Sequence, residues 1–386
     1  MENLRTRAHS DSRSAPMVAR LIDLTPRSAG RTYISVLLAG SDLLSQQVGR
    51  ALRVLAEEGA ANPCEQDDNM WRSVHTGLLI GGGAPMAGER WVPSVSESTP
   101  CELGEGPHWD SERGHLVWVD ILAGRILVGS ATGSSVELIS TLELGRHVGA
   151  VVPWTEGGWL AAAATGFIHI AEDGAVTELA QPEGGSAVRT RMNDGKCDPQ
   201  GRFWAGSMAY DETPGAGSLY RVDLDGSVER VLDEVTISNG LGWSPDGTTM
   251  YVTDTGPGTI DVYDFDAASG ALANRREFFT GPEGRGAPDG LTVDSEGCIW
   301  TALWGGGAVL RLDPRGRIIG EVDMSVSQPT SSCFGGPELT TLFITSARVG
   351  LGAEELVAQD HAGKLMQCEP GVRGRPAPPF MGELPA

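Results

Sequence analysis

The sequence predicts an all-β protein, a six-bladed β-propeller, preceded by an N-terminal extension that does not share its pattern. Two observations support this fold. A segment made of a turn and a short strand recurs six times after about residue 90, and a second strand and turn follows each copy. Across this region, apolar residues at helical spacing are missing, which argues against an α/β or a helical fold.

The first repeated segment joins turn residues to a strand rich in aromatic and β-branched side chains. Equivalent positions in successive copies lie 42 to 50 residues apart, and a four-stranded propeller blade typically takes ~40 to 50 residues. The six copies are WDSERGHLVWVD from Trp109, WTEGGWLAAA from Trp154, CDPQGRFWAGS from Cys197, WSPDGTTMYVTD from Trp243, VDSEGCIWTAL from Val293 and FGGPELTTLFITS from Phe334.

The second strand and turn completes the pattern of each blade. Its six versions are GRILVGSATGSS, GFIHIAEDGAV, GSLYRVDLDGSV, GTIDVYDFDAASG, GAVLRLDPRGR and GKLMQCEPGVRG. Six copies predict six blades. Because a closed propeller leaves few strand edges exposed, we expect a monomer or a loose dimer.

Residues 1–90 lack the repeat and form the N-terminal extension, whereas residues 91–386 form the propeller. The extension is either a regulatory tail or an overlong translation of a chain that starts at Met86. The second interpretation is favoured because the propeller is complete without it. Within the extension, residues 41–62 predict one amphipathic helix, which starts at a capping Ser41. Its apolar positions are Leu44, Val48, Leu52 and Leu55.

The chain is strongly acidic, with a formal net charge of −22. Such a surface repels phosphate backbones and anionic lipids, so nucleic acids and membranes are not expected as partners. The six cysteines contain no CxxC pair, which argues against a zinc or redox motif. The N-terminus lacks the apolar core of a secretion signal, and no run of ~18 apolar residues could span a bilayer. The sequence therefore predicts a cytoplasmic protein.

Polar residues recur at one position of the repeat, five residues before an equivalent turn residue in each copy. These turn residues, the repeat markers, are Asp110, Thr155, Asp198, Ser244, Asp294 and Gly336. Four of the six copies hold a carboxylate or an amide there, namely Glu105, Asn193, Asn239 and Asp289, and each has a glycine within two residues after it. Equivalent residues of equivalent blades point toward the central axis, so the pseudo-symmetry gathers these four into a ring. Asn and Asp before Gly are also common in turns that bind nothing, but four at the same register favour a site.

Two carboxylates brought together repel one another unless a cation lies between them. Carboxylate and amide oxygens are hard ligands that suit Ca²⁺, Mg²⁺ or Mn²⁺, and Zn²⁺ accepts carboxylates although it more often recruits His or Cys. The sequence therefore predicts one divalent metal ion at the centre of the propeller, with Glu105, Asn239 and Asp289 as its ligands and Asn193 as either a further metal ligand or a substrate contact.

Five stretches resemble signature motifs of the SMP-30/gluconolactonase/regucalcin-like family, in the family's order, over about residues 95–382. They are LGEGPHW, RMNDGKCDPQGRFWAGSM, ISNGLGWSPDGTTMYVTD, PDGLTVDSEGCIW and QPTSSCFGG. The resemblance implies a six-bladed propeller with one divalent metal in the central channel. It also implies the hydrolysis of sugar lactones, which several family members carry out.

The resemblance also implies roles for single residues. Glu105, Asn239 and Asp289 match the family's metal ligands, and Asp289 also matches the aspartate proposed to transfer a proton. Arg191 and Asn193 match residues that contact substrate hydroxyls. Asp211 aligns with a substrate-contacting acidic residue, and its shorter carboxylate departs from the family pattern.

Lactone hydrolysis needs a polarised carbonyl group and a nucleophilic water, and a bound metal ion can supply both. Neither a GxSxG elbow nor an HExxH helix is present in the sequence, and no covalent nucleophile is required. The sequence therefore predicts a metal-dependent lactonase that converts an aldonolactone to the aldonic acid in carbohydrate catabolism. Two alternatives stay open: a hydrolase of another cyclic ester or of a phosphotriester, and a regucalcin-like Ca²⁺-binding protein without turnover.

Overall fold

Six sheets make up residues 88–383, the part of the chain that the computed structural model describes. The predicted helix at 41–62 lies outside the described residues. Two short strands open the described part, β1 (Glu89–Trp91) and β2 (Ser94–Glu97), and both join sheets formed by much later parts of the chain. The proposed boundary at residue 90 therefore falls within β1.

The first three sheets each contain four consecutive antiparallel strands. Their strands are β3 (Gly104–Asp110), β4 (His115–Asp120), β5 (Arg125–Thr132), β6 (Ser135–Glu143); β7 (Val148–Pro153), β8 (Trp159–Ala163), β9 (Gly166–Ile170), β10 (Val176–Ala180); and β11 (Thr190–Cys197), β12 (Phe203–Ala209), β13 (Gly217–Val222), β14 (Val228–Val235).

The fourth sheet repeats this order, the fifth has β1 as an additional strand, and the sixth takes its fourth strand from β2. Their strands are β15 (Ser238–Trp243), β16 (Thr249–Asp254), β17 (Thr259–Phe265), β18 (Leu272–Thr280); β19 (Ala287–Val293), β20 (Ile299–Trp304), β21 (Ala308–Leu312), β22 (Ile318–Asp323); and β23 (Pro329–Gly335), β24 (Thr341–Ser346), β25 (Leu365–Cys368), with helix α1 (Ala353–Ala358) before β25. β1 extends the fifth sheet by parallel pairing with β22.

The chain closes the ring by pairing its beginning with its end. β2 lies antiparallel to β25 and supplies the fourth strand of the sixth sheet. A side-chain hydrogen bond of 2.7 Å from Ser96 Oγ to Gln367 Oε1 supports the junction. The predicted six-bladed propeller is confirmed, whereas the source of this last strand was not foreseen in the sequence.

The hydrophobic core lies between neighbouring sheets. Trp300 of the fifth sheet packs on Phe334 of the sixth, with ring centroids 5.8 Å apart. The indole of Trp300 donates a 3.0 Å hydrogen bond to the buried carboxylate of Asp294, in the turn before its strand. Trp204 and Asp198 repeat this contact in the third sheet. The recurring turn-and-strand segment therefore encodes both the core residue and the turn that holds it.

Among the described residues, no helix has the length and apolar character needed to cross a bilayer.

Candidate active site

The first strands of the six sheets contact one another in sequence and form a closed ring around a central channel. Each of these inner strands has one irregularity in its pairing with the next strand. In five of them two consecutive residues lie opposite a single residue of the partner strand, and β7 has one extra residue. Such a β-bulge releases side chains from the regular alternation of the sheet and re-aims them. The released residues are 106–107, 149, 193–194, 239–240, 289–290 and 330–331.

Glycines beside the site residues let the inner strands approach closely. A Cβ atom on Gly290 would lie 2.1 Å from Ser331 Oγ, and one on Gly240 would lie 2.5 Å from the backbone nitrogen of Leu291. No side chain fits at such distances, so only glycine is compatible with this spacing. Gly240 and Gly290 lie inside strands, so the common occurrence of Asn-Gly and Asp-Gly pairs in turns does not apply to them.

Five of the six predicted site residues converge in this channel. Each of them is at most 7% exposed, although all are polar or charged. The charge of Glu105 raises the pKa of Asp289, and both carboxylates oppose the lowering of the Arg191 pKa by burial. The two carboxylates and the guanidinium therefore interact electrostatically. The five residues are Glu105, Arg191, Asn193, Asn239 and Asp289.

Hydrogen bonds orient the two amides. Arg191 Nη1 donates to Asn193 Oδ1 at 2.5 Å, and Asn193 Nδ2 donates to Asn239 Oδ1 at 3.3 Å. Asn239 Nδ2 in turn donates to Thr255 Oγ1 at 2.9 Å, and Thr255 donates to the carbonyl of Pro288 at 2.8 Å. The chain of contacts ends at Pro288, the residue before Asp289, so the amide of Asn239 is held from both sides.

Burial and mutual repulsion make the carboxylates costly to ionise. Burial, together with the nearby Asp194 carboxylate, raises the pKa of Glu105 to about 8. Burial and the charges of Glu105 and Asp194 also raise the pKa of Asp289 well above its usual range. Asp289 Oδ1 is buried and has no hydrogen-bond partner among the described residues.

A divalent cation fits this donor set. Clustered carboxylates are costly to ionise in a buried site, and a dication removes that cost. Glu105, Asn239 and Asp289 offer hard oxygen donors, and the unpartnered oxygen of Asp289 is available as a ligand.

Comparison with known proteins assigns the chain to a family. A family model described as "SMP-30/Gluconolactonase/LRE-like region" matches residues 103–348. The chain belongs to this family. Regucalcin of Danio rerio is 37% identical over 286 residues, which cover 73% of this chain and 95% of that protein. The 6-deoxy-6-sulfogluconolactonase of Pseudomonas putida is also 37% identical over 286 residues, with coverage of 73% and 96%.

A solved structure confirms the propeller of the SMP-30/gluconolactonase family for this chain. The calcium-binding protein regucalcin of Agrobacterium tumefaciens is 30% identical and superposes with a TM-score of 0.70. The match covers 76% of this chain and 99% of that one. The family predicted from the five motifs is therefore confirmed.

Arg191 differs from the other buried arginines. Arg202, Arg221 and Arg311 each form an ion pair with an aspartate at 2.6 to 2.9 Å. Arg191 is equally buried, yet within residues 88–383 it forms no ion pair and donates only to Asn193 and to the carbonyl of Met192. A buried guanidinium has five N–H donors, so Arg191 keeps donors free to bind a ligand.

Asp194 belongs to the site, although the sequence did not single it out. It is 4% exposed, and its Oδ1 accepts a 2.7 Å hydrogen bond from the backbone of Gly195. Its Oδ2 has no partner in the described part of the chain. The available signal was its place directly after Asn193, because the bulge of β11 releases both residues.

Asp211 stands apart from the buried ring. It follows β12 at the end of the sheet where Thr190 pairs with Ala209, so it lies at the same end of the channel as Arg191. Its side chain is exposed, and Oδ1 accepts hydrogen bonds from the hydroxyl and the backbone nitrogen of Thr213 at 2.7 and 3.2 Å. These bonds lower the pKa of Asp211. A contact between Asp211 and a ligand would therefore be made at the rim.

A second group of possible metal ligands, formed by Asp294, Glu296 and Cys298, lies in the turn after β19. Its charge is already compensated, because Arg311 Nη2 donates to Asp294 and Glu296 at 2.9 and 2.7 Å. This group is therefore a weaker candidate than the central ring.

Proposed function

We propose that this protein is a metal-dependent lactonase that hydrolyses a sugar lactone to the corresponding aldonic acid in carbohydrate catabolism. The observation that carries the proposal is the ring of buried carboxylates beside an arginine that has no ion-pair partner among the described residues. A relative that is matched over 96% of its own length is named a 6-deoxy-6-sulfogluconolactonase, which supports a lactone of this class as the substrate.

Glu105, Asn239 and Asp289 would hold one divalent ion. Such an ion polarises a carbonyl group and makes a water molecule more acidic. The remaining steps use the chain's own side chains. The carboxylate oxygen of Asp289 that is not a metal ligand accepts a proton from the attacking water as the water oxygen bonds to the lactone carbonyl carbon. The bond to the ring oxygen then breaks, and the proton passes to that oxygen, so the product is a hydroxy acid.

Residues at the end of the channel where Arg191 and Asp211 lie position the substrate. The free N–H groups of Arg191 donate to sugar hydroxyl or ring oxygens. Asn193 holds Arg191 through the 2.5 Å bond and bridges it to Asn239, so the substrate and the metal ligands share one rigid network. Asp211 contacts the distal end of the sugar from the rim.

A substrate panel tests the proposal. Metal-loaded protein is given five- and six-membered sugar lactones, an acyclic activated ester and a phosphotriester, and proton release is followed above the spontaneous rate. We expect turnover of at least one sugar lactone, with a kcat/KM at least about 100-fold above that of the acyclic ester, since only the cyclic polyol matches Arg191 and the ring. Faster turnover of the phosphotriester would contradict the proposal.

The regucalcin relatives favour one other candidate, a protein that binds Ca²⁺ without turnover. Calorimetry on the same samples separates the two. Bound metal together with no hydrolysis of any lactone would replace the lactonase proposal with the binding function.

A further inference from the structure

A cavity lies in the same channel, on the side of the metal site away from Arg191 and Asp211. Its volume is about 300 Å³. Five inner strands contribute to it, each through residues two to four positions after the site register, such as His108 after Glu105 and Lys196 after Asn193. At ~3.3 Å per strand residue, its centre is about 10 Å along the axis from the carboxylate ring.

The C-terminal segment covers the outer end of this cavity. Arg375 donates to the backbone carbonyls of Trp243, Ser244 and Pro245 at 3.0 to 3.3 Å, which fixes the segment across the sheet ends. The next residues, 376–378, line the cavity with two prolines and an alanine. One wall of the cavity is therefore apolar and the others come from the inner strands.

The polar groups in the cavity are chiefly hydrogen-bond donors. Trp243 is 5% exposed, and its indole Nε1, which can only donate, has no partner among the described residues. His108 is likewise 5% exposed, with Nε2 unpartnered in the described chain. Lys196 donates one of its three N–H groups to the carbonyl of Leu291 at 2.7 Å, which leaves two.

The charge of the lining has the opposite sign to that of the whole protein. The chain holds 51 acidic against 29 basic residues, yet no Asp or Glu is among the described residues that line the cavity. Lys196, one of two lysines in the sequence, and Arg375 both line it. Lys196 also lies near Asp194 and Glu105, but among the described residues neither carboxylate accepts a hydrogen bond from it. Its free N–H groups and the unpaired indole N–H of Trp243 are therefore donors of the kind that a small anion requires.

We propose that this cavity binds a small aliphatic carboxylate. Its oxygens accept from Trp243 Nε1 and Lys196 Nζ, and its short carbon chain packs on the proline-rich segment 376–378. The site does not depend on the lactonase proposal, because none of its residues is a metal ligand. Lys196 nevertheless connects the two, since its carbonyl partner, Leu291, lies two residues after Asp289 on the same strand.

Calorimetric titration of the metal-loaded protein with butyrate, and separately with inorganic phosphate, tests the site. We expect butyrate to bind with a dissociation constant of about 1 mM or below. Phosphate should bind more weakly, because it cannot use the apolar wall. The titration is repeated after chelation: binding in the cavity should persist, whereas an anion held by the metal ion should be lost. No binding of butyrate, loss of binding on chelation, or tighter binding of phosphate would overturn the proposal.

Two variants locate the carboxylate. Trp243→Phe keeps an aromatic ring but removes the N–H donor, and Lys196→Met keeps the length of the side chain but removes the charge. Each should weaken butyrate binding at least about tenfold, as expected for the loss of a hydrogen bond to a charged group. Trp159→Phe, an indole outside the cavity, is the matched control and should bind butyrate as the native protein does. Unchanged binding in both cavity variants would overturn the proposal.

Indole N–H resonances give a readout on the native protein. The chain has ten tryptophans, and the Trp243 signal is the one missing from the spectrum of Trp243→Phe. On addition of butyrate this signal should shift while that of Trp159 stays in place. If Trp243→Phe fails to fold, Lys196→Met replaces it in the titration, and a native spectrum in which no indole signal moves would refute the site.

Discussion

Asp289 and Asp194 are both buried carboxylates in the channel, but their surroundings differ. Asp194 lies beside Lys196, whose positive charge opposes the rise of the Asp194 pKa. Asp289 lies beside Glu105, whose negative charge raises the Asp289 pKa further. Asp289 therefore lacks the neighbouring cation that Asp194 has, and we propose it as the proton acceptor.

Replacing this carboxylate separates a catalytic role from a binding role. Asp289→Asn keeps the shape and one ligand oxygen but removes the basic group, so we expect kcat on the best lactone to fall about 10³-fold at saturating metal. Asp313→Asn is the matched control and should keep native kcat, because Asp313 lies in the turn after β21, where it pairs with Arg317. Asp289→Asn that binds metal more weakly but turns over normally once saturated would show that Asp289 is only a ligand.

Single residues were predictable where the repeat constrained them. Glu105, Asn239 and Asp289 could be found because equivalent positions in a repeat face the same axis. Asp194 could not, because in a regular strand it would point away from Asn193, and only the bulge of β11 brings both to the channel. The burial of Arg191 without an ion pair likewise depends on what neighbouring sheets supply.

At the scale of the element, the inner strand combines a bulge with a glycine. The bulge releases Asn193, Asn239 and Asp289, whereas Glu105 lies directly before the bulge of β3 and pairs with Val119. The glycine lets the next strand approach closely. The sequence shows Asp289 and Gly290 side by side, but the contact of Gly290 is with Ser331 on another sheet. A turn was therefore the natural interpretation of the pattern, and the spacing between sheets was needed to correct it.

Adding one methyl group tests this arrangement. In Gly290→Ala the new Cβ would lie 2.1 Å from Ser331 Oγ and 2.7 Å from Ser331 Cα, so β19 and β23 must move apart. We expect a loss of about 1 to 3 kcal/mol in unfolding free energy. Metal affinity should fall about tenfold or more, because Asp289 moves with the strand. The measurements are thermal unfolding and metal titration.

Gly185→Ala is the control for that substitution. Its Cβ would meet nothing within 4 Å, so stability and metal binding should be native. If Gly290→Ala behaves in the same way, the close approach of the two strands does not determine the geometry of the site.

For the whole molecule, ring closure links residues 94–97 to the sixth sheet. The sequence repeat predicted six blades and their order, because each blade carries its own turn and core tryptophan or equivalent. The repeat did not reveal that β2 supplies the fourth strand of the sixth sheet, since β2 is four residues long and does not contain the repeated segment. Closure of the ring also holds β23 beside β3, and thus Ser331 and Glu105 on neighbouring inner strands.

Two truncations test the role of closure. Removing residues 1–87 keeps both β1 and β2, and we expect native metal affinity and turnover, because all strands of the six sheets and all predicted site residues follow residue 87. Removing residues 1–98 exposes the edge of β25, and the Tm should fall by about 5 °C or more. Equal Tm values for the two truncated chains would contradict a stabilising role for β2.

The most direct test of the metal-dependent lactonase is a titration of the chelated native protein with Ca²⁺, Mg²⁺, Mn²⁺ or Zn²⁺, in which bound ion and proton release from a sugar lactone are measured on the same samples. With at least one of these ions, the rate should start at the spontaneous value, rise in proportion to bound metal and level off at one ion per chain. A rate that persists at full strength in chelator, or that stays at the spontaneous value when every chain holds an ion, would contradict a lactonase that works through Glu105, Asn239 and Asp289.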